Sequence, residues 1–363
     1  MQQSTIFPAD STEFVPNKYY SEYFVCGTYH LAKNDDTRED EPLVQSSNGK
    51  LRQTRIGQCL LFRCNSDGTF QLSQTVQIPA VLDMKWSFEE RESPRLAIAE
   101  AQGVLRFYDL ESTPNGDSPA QLKEIQQVQA TEATNLCLSL DWSNRRELTG
   151  SNGKVVVSIS DGSICTVEPV DGMYAVTREW HGHDHEPWIA AWNYWDTNVV
   201  YTGGDDICWK GWDIRTDLTF PTFVNKRSFE GGVTSIQAHP HVENYVAVGS
   251  YDEQVRLFDV RKPAKPVTTV HVGGGAWRVK WHPSPTRKTD LLIACMHDGF
   301  KVVRFTDACF GSSSSEGVCE VITRFDKHTS LAYGVDWQHY GKGEETLVAS
   351  CSFYDCSLMT WKA

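Results

Sequence analysis

No run of about 18 consecutive apolar residues occurs in this 363-residue sequence, so no helical membrane span is expected. Its first segment, MQQSTIFPADSTEF, lacks the basic-then-apolar order of a secretion signal. Lysine and arginine form no cluster, and the formal net charge is −13, which argues against direct binding to nucleic-acid backbone. The phosphate loop GxxxxGK(S/T), the nucleophile elbow GxSxG and the zinc motif HExxH are all missing. So is a glycine-rich strand-to-helix loop within an alternating αβ pattern, which leaves S-adenosylmethionine without an evident place; no cofactor is expected. The 11 cysteines include no CxxC pair, and neither Cys59 with Cys64 nor Cys351 with Cys356 has zinc-ligand spacing. They are expected to be reduced thiols, mostly small buried hydrophobes, in a cytoplasmic protein. His181, His183 and His185 alternate in HGHDH, but such a segment reads more simply as a surface loop, and no metal site is expected.

What is present is a repeat. GVTSIQAHPHVENYVAVGSYDEQVRLFDVR begins at Gly232 and PWIAAWNYWDTNVVYTGGDDICWKGWDIR at Pro187. Each reads as apolar strand, turn, apolar strand, tight polar turn, and a third strand closing in aromatic-Asp, with Arg215 and Arg261 as the final residues. The same frame places first strands at Phe14, Trp86, Trp142, Trp192, Ala238, Trp281 and Trp337, spaced 43 to 72 residues apart by subtraction. The shortest spacings match the WD repeat of roughly 40–45 residues, and the longer ones imply inserted loops. The expected fold is therefore all-β: a single seven-bladed WD-repeat β-propeller over residues 1–363, a monomer, with insertions near 32–55, 111–120 and 309–318. The last blade lacks an outer strand, and Ser4 to Phe7 is expected to supply it and close the ring. Asp161, Asp206, Asp252, Asp298 and Asp355 sit in the tight turns, and Asp109, Asp213 and Asp259 end third strands; all are read as structural.

Blades are scaffold, so chemistry belongs at the channel mouth. The positions just before the turn Asp form one ring: Tyr29, Ala101, Ser160, Asp205, Tyr251, His297 and Tyr354. The starts of the first strands form a second: Asp10, Leu82, Leu138, Trp188, Thr234, Trp277 and Tyr333. The aromatic groups concentrate in blades 4 to 7, beside the permissive loop Gly273-Gly274-Gly275.

At this point the residues resemble a known family. ADSTEF at Ala9, WIAAWNYW at Trp188, YTGGDD at Tyr201, GGGAWRVKWHP at Gly273, ACMHDGFK at Ala294, YGVDWQ at Tyr333 and ASCSFYD at Ala349 are similar to the WD-repeat methylesterase family of diphthamide biosynthesis, also labelled diphthine methyltransferase. The resemblance implies a carboxylic ester hydrolase that demethylates methylated diphthine, a modified histidine, on elongation factor 2. It carries over no catalytic set.

The substrate implied has a trimethylammonio group beside its ester, and aromatic cages bind such cations. Trp188, Tyr251, Trp277, Tyr333 and Tyr354 are the candidate cage, with Asp205 as its anionic supplement. His297 and Asp205 are the candidate catalytic residues, His297 activating water, with tyrosine hydroxyls or glycine-loop N–H groups as oxyanion donors. A covalent route through Ser350 or Cys351 is a lesser option. The competing class is a non-catalytic scaffold whose aromatic mouth holds a peptide in trafficking or ubiquitin-ligase assembly.

Overall fold

A computed structural model describes residues 1–32, 54–112, 119–146, 153–311, 317–341 and 345–363. The central parts of the three expected insertions, 33–53, 113–118 and 312–316, lie outside the described residues. Seven antiparallel sheets form a seven-bladed β-propeller. The helical pieces among the described residues are two 3-10 turns, Pro285–Arg287 and Asp307–Phe310.

The innermost strands are Ala9–Phe14, Val81–Trp86, Cys137–Trp142, Ile189–Trp192, Val233–Ala238, Arg278–Trp281 and Ala332–Trp337. Every residue chosen as an anchor is the last residue of its inner strand. A middle strand such as Tyr245–Ser250 is buried throughout, because neighbouring blades cover both of its faces. An outer strand such as Gln121–Gln129 is mostly exposed and buries only Leu122 and Val128, because only one face meets a neighbour. Burial is thus nearly complete in the inner and middle strands and falls off at the outer ones.

The anchors are large for a reason. Trp86, Trp142, Trp192, Trp281 and Trp337 are fully buried between blades. Their indole N–H groups donate to inner-strand carbonyls of the preceding blade: Glu13 O (3.2 Å), Lys85 O (2.8 Å), Asp141 O (3.1 Å), Gln237 O (3.2 Å) and Lys280 O (3.0 Å). Each tryptophan buries a large apolar surface and pairs its one polar atom across the seam. Blade 5 has Ala238 instead, and there Trp195 of blade 4 donates forward to His239 O at 2.8 Å.

The ring closes through the N-terminus, beginning two residues earlier than the sequence suggested. Gln2–Ser4, not Ser4 to Phe7, pairs antiparallel with Ser357–Met359 of the last blade. The strand stops at Ser4 because Thr5 turns, its hydroxyl bonded to Phe7 O, and Ile6 takes a φ of +65°, incompatible with a ladder.

The turn aspartates hold turns. The carboxylates of Asp161, Asp252 and Asp355 accept the N–H of Ser163, Gln254 and Ser357, two residues on. Asp206 accepts the N–H of Cys208 and also pairs with Nδ1 of His183 at 2.9 Å; His183 Nε2 meets Thr202 Oγ1 at 2.7 Å, and Trp212 Nε1 donates to the same oxygen. The histidine of the HGHDH segment that is buried, His183, is therefore a structural link between strands.

Candidate active site at the aromatic mouth of the channel

The inner strands begin irregularly. Register shifts fall between Ala9 and Ser11, Val81 and Asp83, Cys137 and Ser139, Val233 and Ser235, and Ala332 and Val335. The skipped residues Asp10, Leu82, Leu138, Thr234 and Tyr333 are members of the second ring read from the sequence. In blades 4 and 6 the ring residues Trp188 and Trp277 directly precede the strand. A bulge leaves its extra residue out of the ladder and re-aims the side chain.

Five of the candidate residues come together. Trp188 and Trp277 have ring centroids 5.7 Å apart, Tyr251 and Trp277 6.0 Å, and Trp277 and Tyr333 4.9 Å. The indole of Trp188 donates to Asp205 Oδ1 at 2.7 Å, which fixes an exposed carboxylate at the edge of the cluster. Trp277 is buried, and its indole N–H has no partner among the described residues. The close approach depends on glycine: a Cβ at Gly232 would lie 2.4 Å from Asp205 Oδ1, and one at Gly275 2.8 Å from the Met296 sulfur. Burial, with the Asp205 carboxylate second, pushes the Tyr251 phenol up to about 12, and burial also raises Tyr333. Both phenols stay protonated at neutral pH, and neither hydroxyl is bonded by another of the described residues.

A carboxyl lies beneath this cluster. Asp10 is buried, and its pKa is raised to about 7, by desolvation first, opposed by the nearby Arg278 and assisted by Asp83. It acts electrostatically on the Tyr333 phenol. Arg278 crosses the channel from blade 6 toward blade 2, 3.8 Å from Asp83 and donating to Leu82 O at 3.4 Å. Deeper in the channel, Lys85 pairs with Asp83 at 2.8 Å, and Lys280 with Glu13 and, at 3.7 Å, Asp336. The axis is thus a lattice of alternating charges below an aromatic rim.

His297 and Tyr354 lie elsewhere. Both are exposed and line an open depression of about 680 Å³ with Asp298, Arg324, Asp326 and His328. Phe353 joins the two regions, 4.8 Å from Tyr333 and 5.0 Å from Tyr354. The lesser nucleophile Ser350 is fully buried, bonded to His328 Nε2 at 2.9 Å and to the Trp361 indole at 3.1 Å. Cys351 is fully buried as well.

Arg278 and Phe353 were not singled out from the sequence. A signal for Arg278 existed: RVKW places two cations in an inner strand that is buried throughout, and only the channel can receive them. Phe353 has no such signal, since period-2 reading assigns one residue per turn to the rim.

No family model matches the sequence. Among curated proteins, the mouse diphthine methyltransferase is 36% identical over 341 residues, covering 92% of this chain and 68% of its own length. The Dictyostelium discoideum diphthine methyltransferase homolog is 32% identical over 98% of this chain and 96% of its own length. The human diphthine methyltransferase is 35% identical over 92% of this chain and 73% of its own length. Among solved structures, a chain of the mitotic checkpoint complex superposes with a TM-score of 0.63 at 16% identity, covering 86% of this chain and 84% of that one, a likeness of fold.

Proposed function

The chain belongs to the diphthine methyltransferase family, a WD-repeat family of diphthamide biosynthesis, and from that premise we propose that it is a cytoplasmic, monomeric ester hydrolase that removes the methyl ester of methylated diphthine on elongation factor 2. The observation that carries the reading is the contiguous cluster of Trp188, Trp277, Tyr251 and Tyr333 with a carboxylate at its edge and another beneath it. Aromatic faces and carboxylates attract a quaternary ammonium group, and a partly dry rim strengthens the attraction.

The relatives' name speaks of methyl transfer. Hydrolysis suits this chain better, because among the described residues there is no strand-to-helix glycine loop of the kind that binds dinucleotides. In hydrolysis, a base takes a proton from water, the water oxygen attacks the ester carbonyl, and the C–O bond to the methoxy group breaks. Methanol leaves with a proton, and a carboxylate remains. Three residues can act as the base. His297 and Asp205 are the two expected from the sequence, His297 in the neighbouring depression and Asp205 at the edge of the cluster, held by Trp188. Asp10 is the best placed, since it shares a site with Tyr333 and Arg278 and has a pKa suited to a base at neutral pH. Tyr251, Tyr333 and the N–H groups of the Gly273–Gly275 loop are the available donors for the oxyanion.

The test is methanol release from methylated elongation factor 2 by purified protein. Stoichiometric binding without methanol would place the chain among scaffolds instead.

A further inference from the structure

The channel has a second mouth. Phe88, Arg145, Pro240, His282 and His339 follow the ends of their inner strands by one to three residues, so they gather at the end opposite the bulges. They line a cavity of about 580 Å³, within the usual range of small-molecule sites.

Its charge runs against that of the chain. The protein carries a net −13, yet the described lining includes Arg145, Arg146 and Arg287, the histidines His241, His282 and His339, and no carboxylate. The cations differ in what they already bind. Arg287 is paired with Asp290 at 2.9 Å. Arg146 is exposed, its guanidinium 3.2 Å from the centre of the Trp195 ring. Arg145 lies over Phe88 at 4.6 Å and near Tyr194 at 5.5 Å, and it donates no hydrogen bond to, and forms no ion pair with, any described residue. Asp141 acts on it through space, but its two oxygens accept the Trp192 N–H and the Tyr194 hydroxyl. Two of the histidines are committed to the protein, His282 bonding Thr346 Oγ1 and His241 bonding Pro283 O, both at 2.9 Å. Positive charge from Arg145 is felt at His241 and His339, both held toward the neutral form chiefly by burial. A half-buried guanidinium without an anion is costly, and its planar fork suits an oxyanion. Phe88 and Tyr340 add apolar surface beside it.

We propose that this lower mouth binds an organic oxyanion, a phosphate or carboxylate group on an aromatic or apolar body, with the Arg145 guanidinium as its principal partner. The site is separate from the aromatic rim and does not depend on the esterase reading.

The test is calorimetric titration of the full chain in a phosphate-free, carboxylate-free buffer with phenyl phosphate, phenylacetate, inorganic phosphate and a hexaglutamate peptide. Phenyl phosphate or phenylacetate should bind saturably, and one of them should bind more tightly than inorganic phosphate. Arg145→Gln should weaken that binding by about tenfold or more, the scale of a lost charged hydrogen bond. Trp188→Ala, at the other mouth, should leave it unchanged. Thermal melts report whether Arg145→Gln folds. If it does not, Arg146→Gln, at an exposed site, should weaken binding several-fold while keeping the melting temperature. Absence of saturable binding by both aromatic probes overturns the proposal, as does equal affinity in a folded Arg145→Gln protein. Tighter binding of hexaglutamate than of either aromatic probe also overturns it, in favour of an acidic protein segment.

Discussion

His328 Nε2 lies 2.9 Å from Ser350 Oγ, the geometry of a base beside its nucleophile. The resemblance is positional rather than catalytic. Ser350 is the fourth residue of Leu347–Ser352, as Thr202 is the fourth of Val199–Gly203. Each accepts an indole N–H from the neighbouring strand, of Trp361 and Trp212 respectively, and each meets a histidine from the preceding loop. The pair is the blade 7 version of a strand-linking motif, and burial holds His328 down at about 4. Ser350→Ala should therefore retain methanol release while losing about 1–3 kcal/mol of stability, because a buried histidine and indole lose their partner. Ser350→Thr should recover most of the loss. Melting curves alongside turnover check both, and an inactive, fully stable Ser350→Ala would make Ser350 the nucleophile.

The cage is tested at Trp188, which is half-buried and so can be removed with little damage to the core. Trp188→Ala should weaken binding of methylated elongation factor 2 by about 5- to 30-fold, the worth of a partly desolvated cation–π contact. Tetramethylammonium should compete with substrate on the wild-type protein and less so on the variant. Undiminished affinity would remove the aromatic cluster from recognition.

Asp10 carries two opposite expectations. As the base it must be ionised, so kcat/KM should rise with pH to a plateau above about 7, and Asp10→Asn should lose at least about 100-fold. Its folded-state pKa is raised above 3.8, so it stabilises the fold fully below that pH, and the contribution is lost as pH rises through about 7. At pH 8 the ionised buried carboxyl is a cost, and Asp10→Asn should melt higher than wild type. His297→Ala is the companion variant: an unchanged pH profile there keeps Asp10 as the base, whereas loss of the limb in His297→Ala alone transfers the role to His297.

Asp206 titrates in the other direction. Its bonds to His183, with the Lys210 ammonium beside it, hold its carboxyl below the ordinary range. The stability it contributes is present above about pH 4 and is lost as the pH falls further. Asp206→Asn should be less stable than wild type at pH 7, with the gap narrowing below pH 4, as measured by denaturant unfolding across that range.

Much of the architecture was legible in the chain alone. Apolar runs ending in tryptophan mark a strand wedged between blades, since only a seam buries that much surface while leaving one polar atom to pair. Five such ends, with Phe14 and Ala238 at the same position of the frame and regular turn aspartates, sufficed for the blade count, and the unpaired edge of the last blade demanded closure. The residue at which closure begins was not legible, because both candidate segments have acceptable strand chemistry and only the turn at Ile6 decides. Strand periodicity marks two rings at the rim, with the aromatic groups of both concentrated in blades 4 to 7. The packing of blades 4 to 7 gathered Trp188, Asp205, Tyr251, Trp277 and the bulge residue Tyr333 into one site, while His297 and Tyr354 turned to a neighbouring depression. Periodicity assigns a residue to a face of its own strand. Which residues of different blades meet across the channel, and that burial there raises Asp10 while Arg145 has no ion pair among the described residues, depends on how seven sheets pack about one axis, and only the tertiary structure decides that.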